Sequence, residues 1–397
     1  MTNLIKRVAG ALAPRKDRRW DVPFVGLAAV PRIVIFTDRA DATYCATFHY
    51  PLRHLQAKGS VDFAVMSSAG VRSSLSRTAV RGFARDLVAS AAPRAVIFSR
   101  YATPFGVELL DAFRLHDVPV FYYCDDDLLN LPQALGEGVL ATHGSSQVLH
   151  ARRACLGAAD GILVSTPHLG TVLNAQFPAQ RIEVLLYPPY LGSLVKRASR
   201  PSGSAGDRAV TIGYMGSKGH QRDLQIAVPA LEDLMERLPA IRFETFGTIA
   251  MPDALHRFGG RVAAHGPRGS YGEFLQTLYD LRWDVGLAPL ADNAFNRCRS
   301  PIKILEYTAC DIPTVASDMS VYRPVLESGG GLLAADHAWG AALERAVTDP
   351  QLRGACLDRV RETCAGRFGL SDVAAGIMSA LHLNQPNGGR LQCSGIS

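Results

Sequence analysis

Short apolar runs, each followed by a longer stretch with helical spacing, recur along the chain from residue 32, and this alternation admits few folds other than parallel α/β layers. The first series occupies 33–37, 61–66, 95–98, 118–124, 161–164 and 182–186. Each run is almost unbroken in its apolar character, as a strand covered on both faces requires. Residues 188–208 then interrupt the pattern, because Pro188, Pro189, Pro201, Gly203 and Gly206 are hostile to regular structure. The alternation restarts with 211–215, 241–246, 262–264, 285–289 and 314–317. Between the first two of these, Leu224, Ala227, Val228, Leu231, Leu234, Met235 and Leu238 form one apolar helical stripe, and 341–382 continue as helix. The fold class expected is therefore α/β, with two Rossmann-like, doubly wound parallel-sheet domains facing a central cleft. The divisions are a basic tail at 1–30, a first domain at 31–190, a linker at 191–208, a second domain at 209–382 and a tail at 383–397. Ligand sites in such domains lie outside the carboxyl ends of the strands.

A length of 397 residues also exceeds what one hydrophobic core usually organises. No apolar run approaches the ~18 residues a spanning helix needs. The formal charge is +6, yet residues 1–20 hold Lys6, Arg7, Arg15, Lys16, Arg18 and Arg19 against Asp17 alone and so carry +5 of it. The rest is close to neutral, which argues against nucleic acid as a partner, since such surfaces spread Lys and Arg across a face. Leu4, Ile5, Val8, Ala9 and Leu12 share one helical face in the basic segment, so residues 1–20 read either as a peripheral membrane contact or as plain disorder. The apolar stretch after Arg7 is too short for a signal-peptide core, and a cytoplasmic protein, at most peripheral at the inner face of the membrane, is expected. Eight cysteines show neither a Cys-x-x-Cys pair nor zinc-ligand spacing, so reduced, buried thiols and no metal or other cofactor are expected.

The most informative segment follows the run at 285–289. Ser300 suits an N-cap and Pro301 the first helical position, so a helix begins there and stops before Pro313. Unpaired amides and the positive end of the helix dipole make such an amino end an anion site. Lys303 falls on the first turn and Glu306 one turn later on the same face, where an ammonium can meet phosphate while a carboxylate accepts from a pair of hydroxyls. The same spacing also describes an exposed ion pair worth a few tenths of a kcal/mol.

This segment resembles the retaining glycosyltransferases of GT-B architecture, particularly family 4 and its relatives. The likeness rests on Ser300-Pro301-Ile302-Lys303, on Glu306-Tyr307, and on the phrase from Ala309 through Pro313 to Ser317. It implies that Glu306 binds the donor ribose and Lys303 the diphosphate of a nucleotide sugar, which is a co-substrate and not a cofactor. Family members place a first Glu eight positions before the second, where this chain has Cys298; a nearer subset has Phe-Asn in the loop, matched by Phe295-Asn296, with Arg299 in place of Lys. Asp311 replaces a usual Gly, in a turn where Asp tolerates left-handed backbone. The loop from Gly213 and Gly216 through Ser217 and His220 to Arg222-Asp223 resembles the same subset, which implies that Ser217 and Arg222 reach the donor phosphates and that Asp223 caps the next helix. Read from residue type alone, the two glycines fit a close strand-loop turn as well as a phosphate loop.

On the first domain, the run at 118–124 ends in Asp125-Asp126-Asp127. Such acids can hold a metal, position an acceptor, or cap the next turn. The resemblance favours Asp125 and Asp126 as acceptor-side residues. His49 and His54 lie in a segment similar to the acceptor-side loop, where an imidazole could polarise a hydroxyl or simply be a hydrogen-bonded structural group. The catalytic set expected is Lys303, Glu306 and Arg222, with Gly216, Ser217, Arg299 and Ser300 completing the donor site. The implied reaction moves a sugar to a glycan or lipid-linked acceptor in cell-surface polysaccharide synthesis, with retention and without a metal. The rival readings are a sugar-nucleotide epimerase of the same build and a non-catalytic nucleotide- or glycan-binding relative.

Overall fold

The computed structural model describes residues 20–185, 191–197, 209–267 and 269–383. The amphipathic segment at 1–19, most of the linker, and the tail with Cys393 lie outside the described residues. Strands β1 (Arg32–Thr37), β2 (Asp62–Ser67), β3 (Ala95–Ser99), β4 (Val120–Cys124), β5 (Gly161–Val164) and β6 (Ile182–Val184) form one sheet in the order β2-β1-β3-β4-β5-β6. Strands β7 (Val210–Gly216), β8 (Ile241–Gly247), β9 (Val262–His265), β10 (Val285–Ala288), β11 (Thr314–Ser317) and β12 (Leu332–Ala334) form the other, ordered β12-β11-β10-β7-β8-β9. Neighbours pair in parallel throughout both sheets. The second order is the dinucleotide-domain pattern 3-2-1-4-5-6, whose direction of winding reverses between β7 and β10. β12, at three residues, is too short to show a period and was not expected.

The period of two assigns each strand residue to a face. Along β1, Val34 and Phe36 join one buried cluster and Ile33 and Ile35 the other. Helices Val80–Ala91, Gly106–Arg114, Ser146–Ala158 and Pro167–Gln176 supply the first cluster. The second is covered by Tyr50–Ala57 and, from the far end of the chain, by Leu370–Ala380, through Val373, Ile377 and Met378. The expected boundary at 382 is therefore corrected: the last described helix returns to the first sheet, and Arg181 donates to Ala380 O at 3.0 Å beside it. Its helical character was legible, but nothing in a periodicity says which sheet receives a helix. The boundary at 30 also shifts. Val22 bridges Val65, and the Asp62 carboxylate collects the amides of Val25, Gly26 and Leu27, so 20–27 belong to the first domain. Leu191 and Val195, expected in a linker, are buried against Met215, Tyr279 and Trp283 of the second domain.

The apolar stripe of the second domain buries Leu224, Ala227, Leu231, Leu234 and Met235 as expected, across two consecutive helices, Gln221–Gln225 and Val228–Arg237, with Ala227 the N-cap of the second. Six of the seven described cysteines are buried, and all seven are free thiols. Among the described residues, no helix is long and apolar enough to cross a membrane.

Two positions show how closely the second domain is packed. A Cβ on Gly213 would fall inside the Trp283 ring, which is held by a bond from its Nε1 to Glu244 at 2.9 Å. Gly213 is thus a packing glycine of the core, not a place where backbone approaches a ligand. Asp311 has φ 62 and pairs with Arg361 at 2.6 Å and Arg197 at 3.2 Å, tying the turn to the helix Pro350–Arg367 and to the start of the linker. Burial opposes its ionisation, but the Arg361 and Arg197 hydrogen bonds outweigh burial and hold its carboxyl below the usual range. A depressed carboxyl pKa stabilises the fold above the unfolded-state value near ~4 and loses that contribution as pH falls through the folded value. Asp311→Asn keeps a residue that tolerates this backbone and removes the charge, so urea unfolding should show a loss of about 1 kcal/mol at pH 7 that shrinks toward pH 3. Gly213→Ala should cost about 3 kcal/mol in the same assay.

Candidate active site at the interdomain crevice

The ladder between β7 and β10 pairs only Ile212 with Val285 and Gly213 with Gly286. Beyond it the strands separate, and the Tyr307 hydroxyl fills the gap: it accepts from Met215 N at 3.0 Å and donates to Leu287 O at 2.9 Å. Tyr307 lies on the helix Ile302–Ala309, so this phenol fixes that helix over the switch point. Lys303 makes a second tie, donating to Met215 O at 2.8 Å with its ammonium 4.0 Å from the Tyr214 ring centroid. The helix starts one residue later than expected. Pro301 is the N-cap, with no side-chain cap, because its carbonyl accepts from Ile304 N and Leu305 N; Ser300 stands just outside, half-buried. Burial pushes Lys303 down to about 7, reinforced by Arg299 and opposed by Asp223. Glu306, 9% exposed, accepts from Tyr271 OH at 2.8 Å, and burial raises its carboxyl to about 7 against that bond and the Lys303 charge.

The loop after β7 supplies the other wall. Gly216 O accepts from Thr248 N and Ile249 N, and Gly247 crosses so close, at φ 118, that a side chain there would strike Gly216 O. Ser217 and Arg222 are exposed. The structure does not bring Arg222 into the cluster that holds Lys303; its neighbour Asp223 turns inward instead. Nor is Asp223 a helix cap: its carboxylate accepts from Ala291 N at 3.1 Å and Asn296 Nδ2 at 3.2 Å, fastening the loop after β10, and pairs with His220 at 3.0 Å. Burial, aided by Arg299, lowers His220 to about 4, so the ring is neutral at pH 7. A neutral imidazole that donates from Nδ1 to Asp223 leaves Nε2 to accept from Arg299 Nη1 at 2.9 Å.

Arg299 carries the chain of contacts across the groove, with its Nε 3.7 Å from Asp126 of the first domain. Thr166 donates to Cys298 O at 3.0 Å, and the Cys298 side chain is buried in the first domain's core cluster. Cys298 therefore contacts no open groove. Facing Arg299, Arg100 sits in left-handed backbone at φ 59 and pairs with Asp125 at 3.1 Å and Asp126 at 3.7 Å. Burial raises Asp125 despite Arg100, and Thr43 donates to it at 2.9 Å. Asp127 turns away to Asn130, and among the described residues no group of three potential metal-ligating side chains gathers. His49 lies elsewhere, packed among Tyr44, Tyr50 and Phe63, while His54 bonds Ser371.

No protein-family model matches the chain, and no curated protein matches it in sequence. Solved structures do. A trehalose-6-phosphate synthase, studied for glycosyl transfer with retention, superposes with TM-score 0.58 at 13% identity over 90% of this chain and 100% of that one. HepE of Anabaena, bound to UDP, gives 0.60 at 13% identity over 88% and 99%. A Listeria monocytogenes protein assigned as a UDP-N-acetylglucosamine 2-epimerase gives 0.55 at 10% identity over 91% and 100%. The chain has the GT-B fold. In this GT-B chain the crevice at the β7/β10 switch point collects Lys303, Glu306, Arg299, His220 and Asp223, and presents Asp126 and Arg100 from the opposite domain.

Of the residues singled out from the sequence, Lys303, Glu306, Arg299, Asp125 and Asp126 lie at this crevice. Sequence reasoning gave no role to Tyr307, Tyr271, His220 or Arg100. The tyrosines lie in apolar helical faces and read as core, and only His220, beside Arg222-Asp223, carried a local signal. Tyr307→Phe would leave Met215 N and Leu287 O without their shared partner, so urea unfolding should reveal a loss of about 2 kcal/mol, within the cost of stranding buried polar groups. A change below 0.5 kcal/mol would show that this tie does not hold the helix.

Proposed function

We propose that the chain is a glycosyltransferase that binds a nucleotide-diphosphate sugar in the crevice of its second domain and passes the sugar to a glycan or lipid-linked acceptor, with retention and without a metal. The observation that carries this reading is the convergence of Lys303, Arg299 and the amino end of Ile302–Ala309 at the β7/β10 switch point. As the bond from the anomeric carbon to the phosphate oxygen breaks, its electron pair goes to the leaving diphosphate. Fixed cations and helix amides at that place stabilise the growing charge. Glu306 is the acceptor for ribose hydroxyls. Arg222 acts as a further phosphate ligand only if donor binding turns it inward from its exposed position. Ser217 and Gly216 line the phosphate path, Ser300 its helix end, and Asp125 and Asp126 the acceptor side. Retention is supported by the sequence resemblance and by the trehalose-6-phosphate synthase neighbour. The acceptor class, a role in cell-surface polysaccharide synthesis and a cytoplasmic site of action rest on the resemblance. The epimerase neighbour favours a second reading, sugar-nucleotide epimerisation, which product analysis separates: a new glycosidic bond against an isomerised donor.

Lys303→Ala and Glu306→Ala should each weaken nucleotide-sugar binding in calorimetry by about 10- to 100-fold, the worth of a charge-assisted bond, with unchanged circular dichroism. Unchanged affinity in both contradicts the assignment. Affinity should also peak near pH 7. Above it Lys303 must gain a proton to meet the diphosphate, and below it Glu306 must lose one to accept from ribose. Lys303→Ala should abolish the alkaline limb alone.

A further inference from the structure

A buried carboxylate must keep a hydrogen-bond donor at all times, because stranding it costs more than any one neutral bond returns. In this structure the donor to Glu306 is Tyr271, and the space beside them, lined by Ala46, Leu191, Tyr271, Ile302 and Glu306, has room for about one water at most. A ribose cannot reach Glu306 while the phenol is there. We propose, on the footing that Glu306 is the ribose ligand, that Tyr271 is a built-in surrogate for a ribose hydroxyl: it occupies Glu306 in the unliganded protein and is displaced when a nucleoside diphosphate enters.

Three features make this an exchange and not a permanent bond. Tyr271 opens the helix Tyr271–Asp280, whose start is fixed by a capping box between Ser270 and Glu273, so its backbone can stay while the side chain turns. The ring is half-buried, lying flat beside Phe274 at 6.1 Å and 10°, at the margin of the second domain's core and not within it. The first domain also covers it, since the Tyr50 ring lies 6.2 Å from the Tyr271 ring. Release of Glu306 therefore also parts the Tyr271 ring from Tyr50. The geometry makes Tyr271 a positioning residue that sets what the nucleotide must replace.

The full chain is titrated with UDP, GDP and ADP by calorimetry, and the tightest is carried forward with its 2′,3′-dideoxy counterpart. Tyr271→Phe, nearly isosteric, removes the competing hydroxyl only. It should tighten binding of the ribonucleotide about five- to tenfold, the worth of one bond to a charged group, and change the dideoxy analogue less than twofold. Glu306→Gln should remove most of the preference for the ribonucleotide in either background. Unchanged or weaker ribonucleotide binding by Tyr271→Phe, with the Glu306→Gln effect intact, overturns the surrogate role alone. An equal shift for both nucleotides also overturns it, because a purely structural effect would not distinguish them. If no nucleoside diphosphate binds, or Glu306→Gln leaves the preference in place, the ribose assignment falls and this proposal with it.

Discussion

The Tyr307 hydroxyl, shared between the Met215 amide and the Leu287 carbonyl, stands where two parallel strands part and their ladder has nothing further to pair. A doubly wound sheet must open such a crevice where its winding reverses, and the opened edge exposes backbone groups that need partners. Closing the gap with a side chain from Ile302–Ala309 satisfies those groups and fixes the helix at the same time. One turn earlier on that helix, Lys303 is drawn over the same strand by the Met215 carbonyl. The position of the candidate site is in this sense a consequence of how the second sheet solves its own hydrogen bonding.

The parts of this arrangement that repeat along the chain were legible, and the parts that depend on meetings between distant residues were not. Eleven of the twelve strands follow from their apolar runs because a strand buried on both faces must be apolar throughout. Lys303 and Glu306 were singled out because a helical spacing of three puts both on one face and because the segment around them resembles a known family. Spacing does not say what that face meets. The bond from Tyr271 to Glu306 spans 35 positions and that from Tyr307 to Met215 spans 92, and neither tyrosine differs in sequence from an ordinary core aromatic. Asp223 shows the converse error: an acid at a helix start reads as a cap, but the loop after β10 offered it Ala291 N and Asn296, and those partners won. The segment holding helix Leu370–Ala380 was read as helix and grouped with the second domain, whereas it packs on the first sheet, for the same reason.

Specific groups join the two domains. Arg299 reaches Asp126, Thr166 reaches Cys298 O, and Tyr50 rests beside Tyr271. The loop after β10 thus serves both the second domain's cation cluster and the contact to the first. Cys298 explains part of this economy: where a carboxylate in the resembled family would point at a sugar, a small thiol is buried in the facing domain's core. Across the groove Arg299 meets Asp126 at 3.7 Å, while Arg100 pairs with Asp125 and Asp126 within the first domain. Any anionic donor must compete with Asp126 for Arg299.

The most direct test of this account is a crystal structure of the full chain soaked with a nucleotide sugar that it binds in solution. The account predicts diphosphate density at the amino end of Ile302–Ala309, within hydrogen-bonding distance of Lys303 Nζ and the Arg299 guanidinium. Density for the diphosphate elsewhere on the molecule, with this crevice unchanged, would contradict it.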